Sequence, residues 1–158
     1  MMISEKYDDA SWHSGADNFP KDLPPSAGAT HIGMYFAWAV LNGLCSDEHL
    51  SDCAEEVEKL KSRESTPGAY VYKNLDGKLL TGDLNLDGNA FTSKYLDLSQ
   101  GMYIDDYCEA TTEEEDGEID IDFDPGSIYR VEDSWEVYDR VAPLFSKRFE
   151  AWQKERSE

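Results

Sequence analysis

Positive charge is scarce in this chain: 14 Lys and Arg stand against 34 Asp and Glu, a formal net charge of -20 over 158 residues. Such a surface repels DNA, RNA and anionic membranes within a Debye length and attracts basic proteins and divalent cations instead. Cysteine occurs only as Cys45, Cys53 and Cys108, without C-x-x-C spacing. That argues against a paired-cysteine zinc motif and for reduced thiols. Long hydrophobic runs are missing too. The most apolar stretch, Ile32 to Leu44, falls short of the roughly 17–25 residues that span a bilayer. The opening "MMISEKYDDASWH" has no apolar core and carries acids early, so the expectation is no signal peptide and a cytoplasmic location. Gly-rich phosphate loops, G-x-S-x-G turns and H-E-x-x-H motifs are also lacking. Nothing here argues positively for an enzyme, and neither cofactor nor metal is expected.

Aromatic residues, by contrast, are plentiful: 4 Trp, 9 Tyr and 6 Phe, enough for a real core in one domain, residues 1–158. Residues 1–29 read as a Pro-rich arm packed on the core, because "FPKDLPPSAGA" keeps a helix from starting before Ala27. From Thr30, a candidate N-cap, the pattern is helical to Leu44 and apolar on nearly every face, which marks a buried central helix. Gly33 would admit a close backbone neighbour, and Gly43 is a candidate C-terminal cap. Ser46 should cap one further helix over "SDEHLSDCAEEVEKLKSR", with Leu50, Cys53, Val57 and Leu60 inward. Pro67 fits the first position of a short helix; a strand on "AYVYK" competes with it. "YRVEDSWEVYDRVAPLFSKRFEAW" reads as a helix from about Glu132, with Trp135, Tyr138, Val141, Leu144, Phe145, Phe149 and Trp152 on its inner face. Pro143 should kink or break it. The expected fold is mainly α (α+β at most), a compact bundle around helix 30–44 with at most a small strand element near 118–131.

The segment "GDLNLDGNAF" imitates the opening of a calcium loop. Its twelfth position, where the geometry demands a bidentate carboxylate, falls on Lys94. Asp87 as the N-cap of a helix carrying Phe91, Tyr95 and Leu98 accounts for the segment without a metal. Among the histidines, His31 reads as a buried, hydrogen-bonded residue and His49 as a solvated one. Asp8, Asp9 and His13 form a compact patch with Trp12 that could do general-base work. An arm pinned to the core by Trp12 explains the same residues.

Residues 105–124 hold eleven acids and no base. In "EIDIDFD" the acids alternate with Ile119, Ile121 and Phe123, a period of two that suits an extended segment. Within an acidic segment at 105–126, the candidate partner-binding residues are Asp105, Asp106, Glu109, Glu113, Glu114, Glu115, Asp116, Glu118, Asp120, Asp122 and Asp124. Ile121 and Phe123 would be the anchors.

"KYDDASWH", "LPPSAGATHIGMYFAWAVLNGL" and "YRVEDSWEVYDRVAPLFSKRFEAW" together resemble a family of small acidic bacterial proteins of unknown function. The resemblance implies no catalytic set. By analogy of class, it and the charge lead to the expectation of an immunity or inhibitor protein. Its acids would block the cationic cleft of a basic toxin, such as a nuclease. A regulatory or adaptor module with another protein partner is the alternative, and an enzyme using Asp8, Asp9 and His13 is the second. No nucleic-acid or membrane partner is expected, and the oligomeric state is open.

Overall fold

The apolar stretch in the first third of the chain folds as a helix, and the other elements are arranged to cover it. The computed structural model describes residues 6–15, 19–96, 102–111, 129 and 131–157. In chain order the elements are β1 (Lys6–Asp9), α1 (Ala10–Ser14), a 3-10 turn (Pro25–Ala29), α2 (Thr30–Leu41), α3 (Asp47–Asp52), α4 (Ala54–Lys61), α5 (Pro67–Asn74) and β2 (Lys78–Leu80). A second 3-10 turn (Thr81–Asp83) precedes α6 (Leu86–Tyr95), α7 (Met102–Thr111) and α8 (Trp135–Ser157). The fold is mainly α with a minor two-stranded antiparallel element. The strand anticipated near 118–131 lies almost entirely outside the described residues, and the strands seen are β1 and β2.

Thr30 to Val40 are all buried, as expected of a helix without a polar stripe. Its N-cap position is Ala29 rather than Thr30, because the 3-10 turn runs directly into it, and no side-chain cap is made. It stops at Leu41, where Asn42 takes the terminal carbonyls and Gly43 adopts φ +73°. At Gly33 the α5 backbone comes so close that a Cβ would lie 2.2 Å from the Pro67 carbonyl oxygen. On another side α8 supplies Val141 and Phe145, both fully buried. Trp38 donates its indole N–H to Ser146 Oγ at 3.0 Å, and Tyr35 bonds Thr92 of α6 at 2.6 Å. α8 continues through Pro143 to Ser157, so the proline does not end it.

The anticipated second helix is two helices, split at Cys53 (φ -118°). Ser46 caps the first by accepting from His49 N at 3.1 Å. The break rotates α3 out of the register of α4. Val57 and Leu60 face the core, whereas Leu50 stays 36% exposed and His49 turns inward. His49 is therefore buried, not solvated, with Nε2 2.6 Å from the Tyr70 hydroxyl. "AYVYK" is part of α5, not a strand.

The calcium-like segment resolves into separate local bonds. Asp83 accepts from Leu80 N, and Asn85 rather than Asp87 caps α6 by accepting from Gly88 N at 2.8 Å. Asp87 points outward to Arg156 at 2.9 Å.

Because Gly33 sits against backbone that cannot yield, Gly33→Ala should cost about 1–3 kcal/mol, read as a lower denaturant midpoint. Burial pushes the Cys45 thiol up to about 12, with Asp83 adding to it. Cys45 is 4% exposed and Cys53 only half-buried. At pH 7.5 a thiol reagent should label Cys53 and leave Cys45 unmodified until the chain unfolds.

Candidate metal centre

The site begins with a strand irregularity. β1 pairs antiparallel with β2 as Lys6↔Leu80, Asp8↔Leu79 and Asp9↔Lys78, and the register slips between Lys6 and Asp8. Such slips re-aim side chains; here Asp8 and Asp9 are both only 2% exposed. Asp9 then caps α1 by accepting from Ser11 N at 2.9 Å and Ser11 Oγ at 2.8 Å, and it pairs with Lys6. That use takes Asp9 out of the patch read from the sequence. The five-residue helix turns the chain back and sets His13 over Asp8. Gly28 makes the overlay fit, since a Cβ there would stand 2.8 Å from Ala10 O and 3.3 Å from His13 Cβ. Trp12 remains 48% exposed, so it does not pin the arm.

His31, in the first turn of α2, completes the cluster. His13 Nε2 lies 2.6 Å from Asp8 Oδ1 and His31 Nε2 lies 2.9 Å from Asp8 Oδ2. The two Nε2 atoms are 3.2 Å apart. His13 Nδ1 is 2.8 Å from the Tyr129 hydroxyl, and Tyr103 donates to the His31 carbonyl. Asp8 and His31 are sealed, at 2% and 1% side-chain exposure, while His13 keeps 16%. Solvent thus meets the cluster along the His13 edge.

Burial alone would raise the Asp8 carboxyl, but the hydrogen bonds and charges of the two imidazoles outweigh it and hold it well below the usual carboxylate range. His31 is pushed down, first by burial and further by His13, against the pull of Asp8. Tyr129 is pushed up by burial and by the Asp8 charge.

Proton accounting shows what this arrangement lacks. With both imidazoles neutral, each Nε2–H must donate to Asp8, which brings two donors together at 3.2 Å. The His31 Nδ1 lone pair then has no partner among the described residues. The remaining bond to the Asp8 carboxylate comes from the Asp9 backbone N–H, and no Lys or Arg among the described residues reaches it. The buried negative charge therefore needs a cation, either a proton on an imidazole or a bound ion.

The donor atoms fit an ion. Two ligands bonded to zinc at about 2.0–2.1 Å in tetrahedral geometry stand about 3.3 Å apart. The two Nε2 atoms are at 3.2 Å, whereas the carboxylate contacts, at 2.6 and 2.9 Å, are hydrogen-bond distances that would have to open by about 0.7 and 0.4 Å to admit the ion. Asp8, His13 and His31 are also the group among the described residues whose donor atoms all lie within 4.8 Å of one another. Two imidazoles and one carboxylate suit zinc and its first-row neighbours rather than calcium, which takes six or more oxygens. Three protein ligands leave a coordination position open. The Tyr129 hydroxyl on His13 Nδ1 is the outer partner that orients a ligating histidine.

Sequence reasoning placed Asp8 and His13 together because they are near in the chain. A pocket holding both His13 and His31 is what the enzyme alternative calls for, but nothing in the sequence joins His31 to Asp8, and Tyr129 is missed altogether.

The chain belongs to the family described as domain of unknown function (DUF7832), whose model matches residues 6–120. The match spans Asp8, His13 and His31 and stops short of Tyr129. No curated protein and no solved structure matches the chain.

Of the acidic residues singled out for partner binding, Asp105 and Glu109 are exposed on α7. Asp106 is 4% exposed, with its carboxylate taken up inside the fold by Tyr95 at 2.6 Å and Arg148 at 2.9 and 3.1 Å. Glu113, Glu114, Glu115, Asp116, Glu118, Asp120, Ile121, Asp122, Phe123 and Asp124 lie outside the described residues. Arg148→Met would strand the Asp106 charge between α7 and α8. It should lower stability by about 1–3 kcal/mol, measured by urea unfolding, whereas Arg140→Met on the exposed face should change little.

Proposed function

We propose that this protein is a metal-dependent enzyme in which His13, His31 and Asp8 hold one first-row transition ion, zinc by preference. The observation that carries the reading is the convergence of three donor atoms from three segments, β1, α1 and α2, around a buried carboxylate that no Lys or Arg among the described residues reaches. A purely structural role explains the cluster less well, since buried ionic groups add little to stability over apolar ones of the same size. Bound there, the ion would supply Lewis-acid chemistry of the kind used in metal-assisted hydrolysis. Asp8 would neutralise it, His31 would anchor it to α2, and His13 would form the solvent-facing side of the shell.

Calorimetric titration of the metal-free protein with Zn²⁺ should show one ion per chain and a rise in melting temperature. At a hundredfold excess over Kd the added stability is about 2.7 kcal/mol. His13→Ala removes the most solvent-accessible ligand of the three, and it should weaken binding by about a hundredfold or more. A folded wild-type protein that takes up no Zn²⁺, Mn²⁺, Fe²⁺ or Co²⁺ at micromolar concentration would refute the assignment.

The charge supports a second reading, an inhibitor or immunity protein, or another interaction module, that meets a basic partner such as a nuclease through its acids. Asp47, Glu48, Asp52, Glu55 and Glu58 line the outer side of α3 and α4, and Asp105 and Glu109 that of α7, within a chain of net charge -20. Such a field speeds association more than it holds the complex. Native-locus purification at low and then high salt should recover a basic protein in near-equal amount, released by salt. Recovery of the chain alone, with neighbouring gene products expressed, counts against this reading.

A further inference from the structure

Beside the cluster lies a groove of about 440 Å³, a volume within the range of small-ligand sites. Leu23, Pro24, Ala27, Tyr72 and Val131 make its walls largely apolar. Two of its other lining residues touch the metal-ligand cluster from behind. Thr30 precedes His31 in the chain, and Tyr129 places its hydroxyl on His13 Nδ1.

The charged groups on the lining are Lys73 and Asp133. Asp133 is already committed: its carboxylate accepts from Thr66 Oγ1 at 2.6 Å, Gly68 N at 2.7 Å and Ala69 N at 2.9 Å, closing the start of α5. Lys73 makes no ion pair with a described residue. An uncommitted ammonium over an apolar cavity, on a chain otherwise dense with acids, selects an anion with an apolar body. Tyr72, 44% exposed, offers a ring face on which a flat body can lie.

We infer that this groove is the ligand pocket of the metal centre, that it takes an organic anion with a flat apolar body, and that its occupancy is coupled to the ion through Tyr129 and His13. The inference rests on the metal reading proposed above. A molecule lying against the Tyr129 ring fixes that ring and its hydroxyl. The hydroxyl in turn holds the orientation and tautomer of His13, and outer partners of this kind alter metal affinity by about 10- to 100-fold. By linkage the ion must change the affinity of the groove by the same factor as the groove occupant changes that of the ion.

The aromatic sulfonate 1-anilinonaphthalene-8-sulfonate is a suitable probe, being flat, anionic, fluorescent and a poor metal ligand. Titrated into the full chain with and without Zn²⁺, it should bind once per chain, with affinities differing by about fivefold between the two forms. Lys73→Glu and Tyr72→Ala, both at exposed positions, should each weaken the probe by about fivefold. Tyr129→Phe keeps the ring and removes the hydroxyl, so the probe should still bind while the difference made by Zn²⁺ disappears. Binding indifferent to both Lys73→Glu and Tyr72→Ala overturns the pocket assignment. Equal affinity with and without Zn²⁺, in a protein shown by calorimetry to hold the ion, overturns the coupling. Failure to take up Zn²⁺ refutes the metal reading instead, and the probe titrations of the metal-free chain still decide whether the pocket exists.

Discussion

A helix that is apolar on every face has to be surrounded, and that constraint organises the molecule. α5 approaches so closely at Gly33 that only a residue without Cβ fits. α8 lays Val141 and Phe145 against another side, and Trp38 and Tyr35 bind their polar atoms to Ser146 and Thr92 rather than leave them unpaired. The arm supplies the remaining cover. The ribbon of β1 and β2 and the short α1 close over the first turn of α2, and this is how Asp8 and His13 come to rest on His31.

The contrast between the two ends of α2 separates what the fold needs from what it merely carries. Its middle is buried among rings whose removal from water stabilises the fold at about 25 cal/mol per Å². At its start, a carboxylate and one imidazole are buried beside the half-buried His13, and His31 Nδ1 has no partner among the described residues. Elsewhere the chain buries carboxylates with full compensation. Asp106 is met by Arg148 and Tyr95, and Asp9 by Lys6 and Ser11. Against those two, the cluster at Asp8 stands out because its His31 Nδ1 has no partner among the described residues.

Local pattern carried much of this fold. The apolar run announced the central helix, Gly33 the close crossing, Pro67 the first position of α5, Ser46 the cap of α3, and the aromatic stripe the inner face of α8. What pattern could not supply was geometry made by distant partners. His49 looked solvated because its helix was read as continuous with α4, and the break at Cys53 turned it inward. Asp9 sat among candidate reactive groups by proximity, although an aspartate two residues before a serine N–H is a helix cap. The approach of His31 to Asp8 joins residues 23 positions apart, and that of Tyr129 to His13 spans 116. No spacing rule connects them, since the fold itself brings them together.

The turn before α5 has one further consequence, for the order in which the molecule is assembled. Its groups are completed by residues that lie far downstream. Asp133 caps Gly68 and Ala69, Trp135 donates to the Ser65 carbonyl, and Arg63 forks onto Asp139. α5 is also the helix that presses on Gly33. During synthesis the first half of the chain therefore leaves the ribosome with its tightest crossing unfinished. α8 and the residues just before it are the bolt that fastens it, so this crossing is completed only after they have been made.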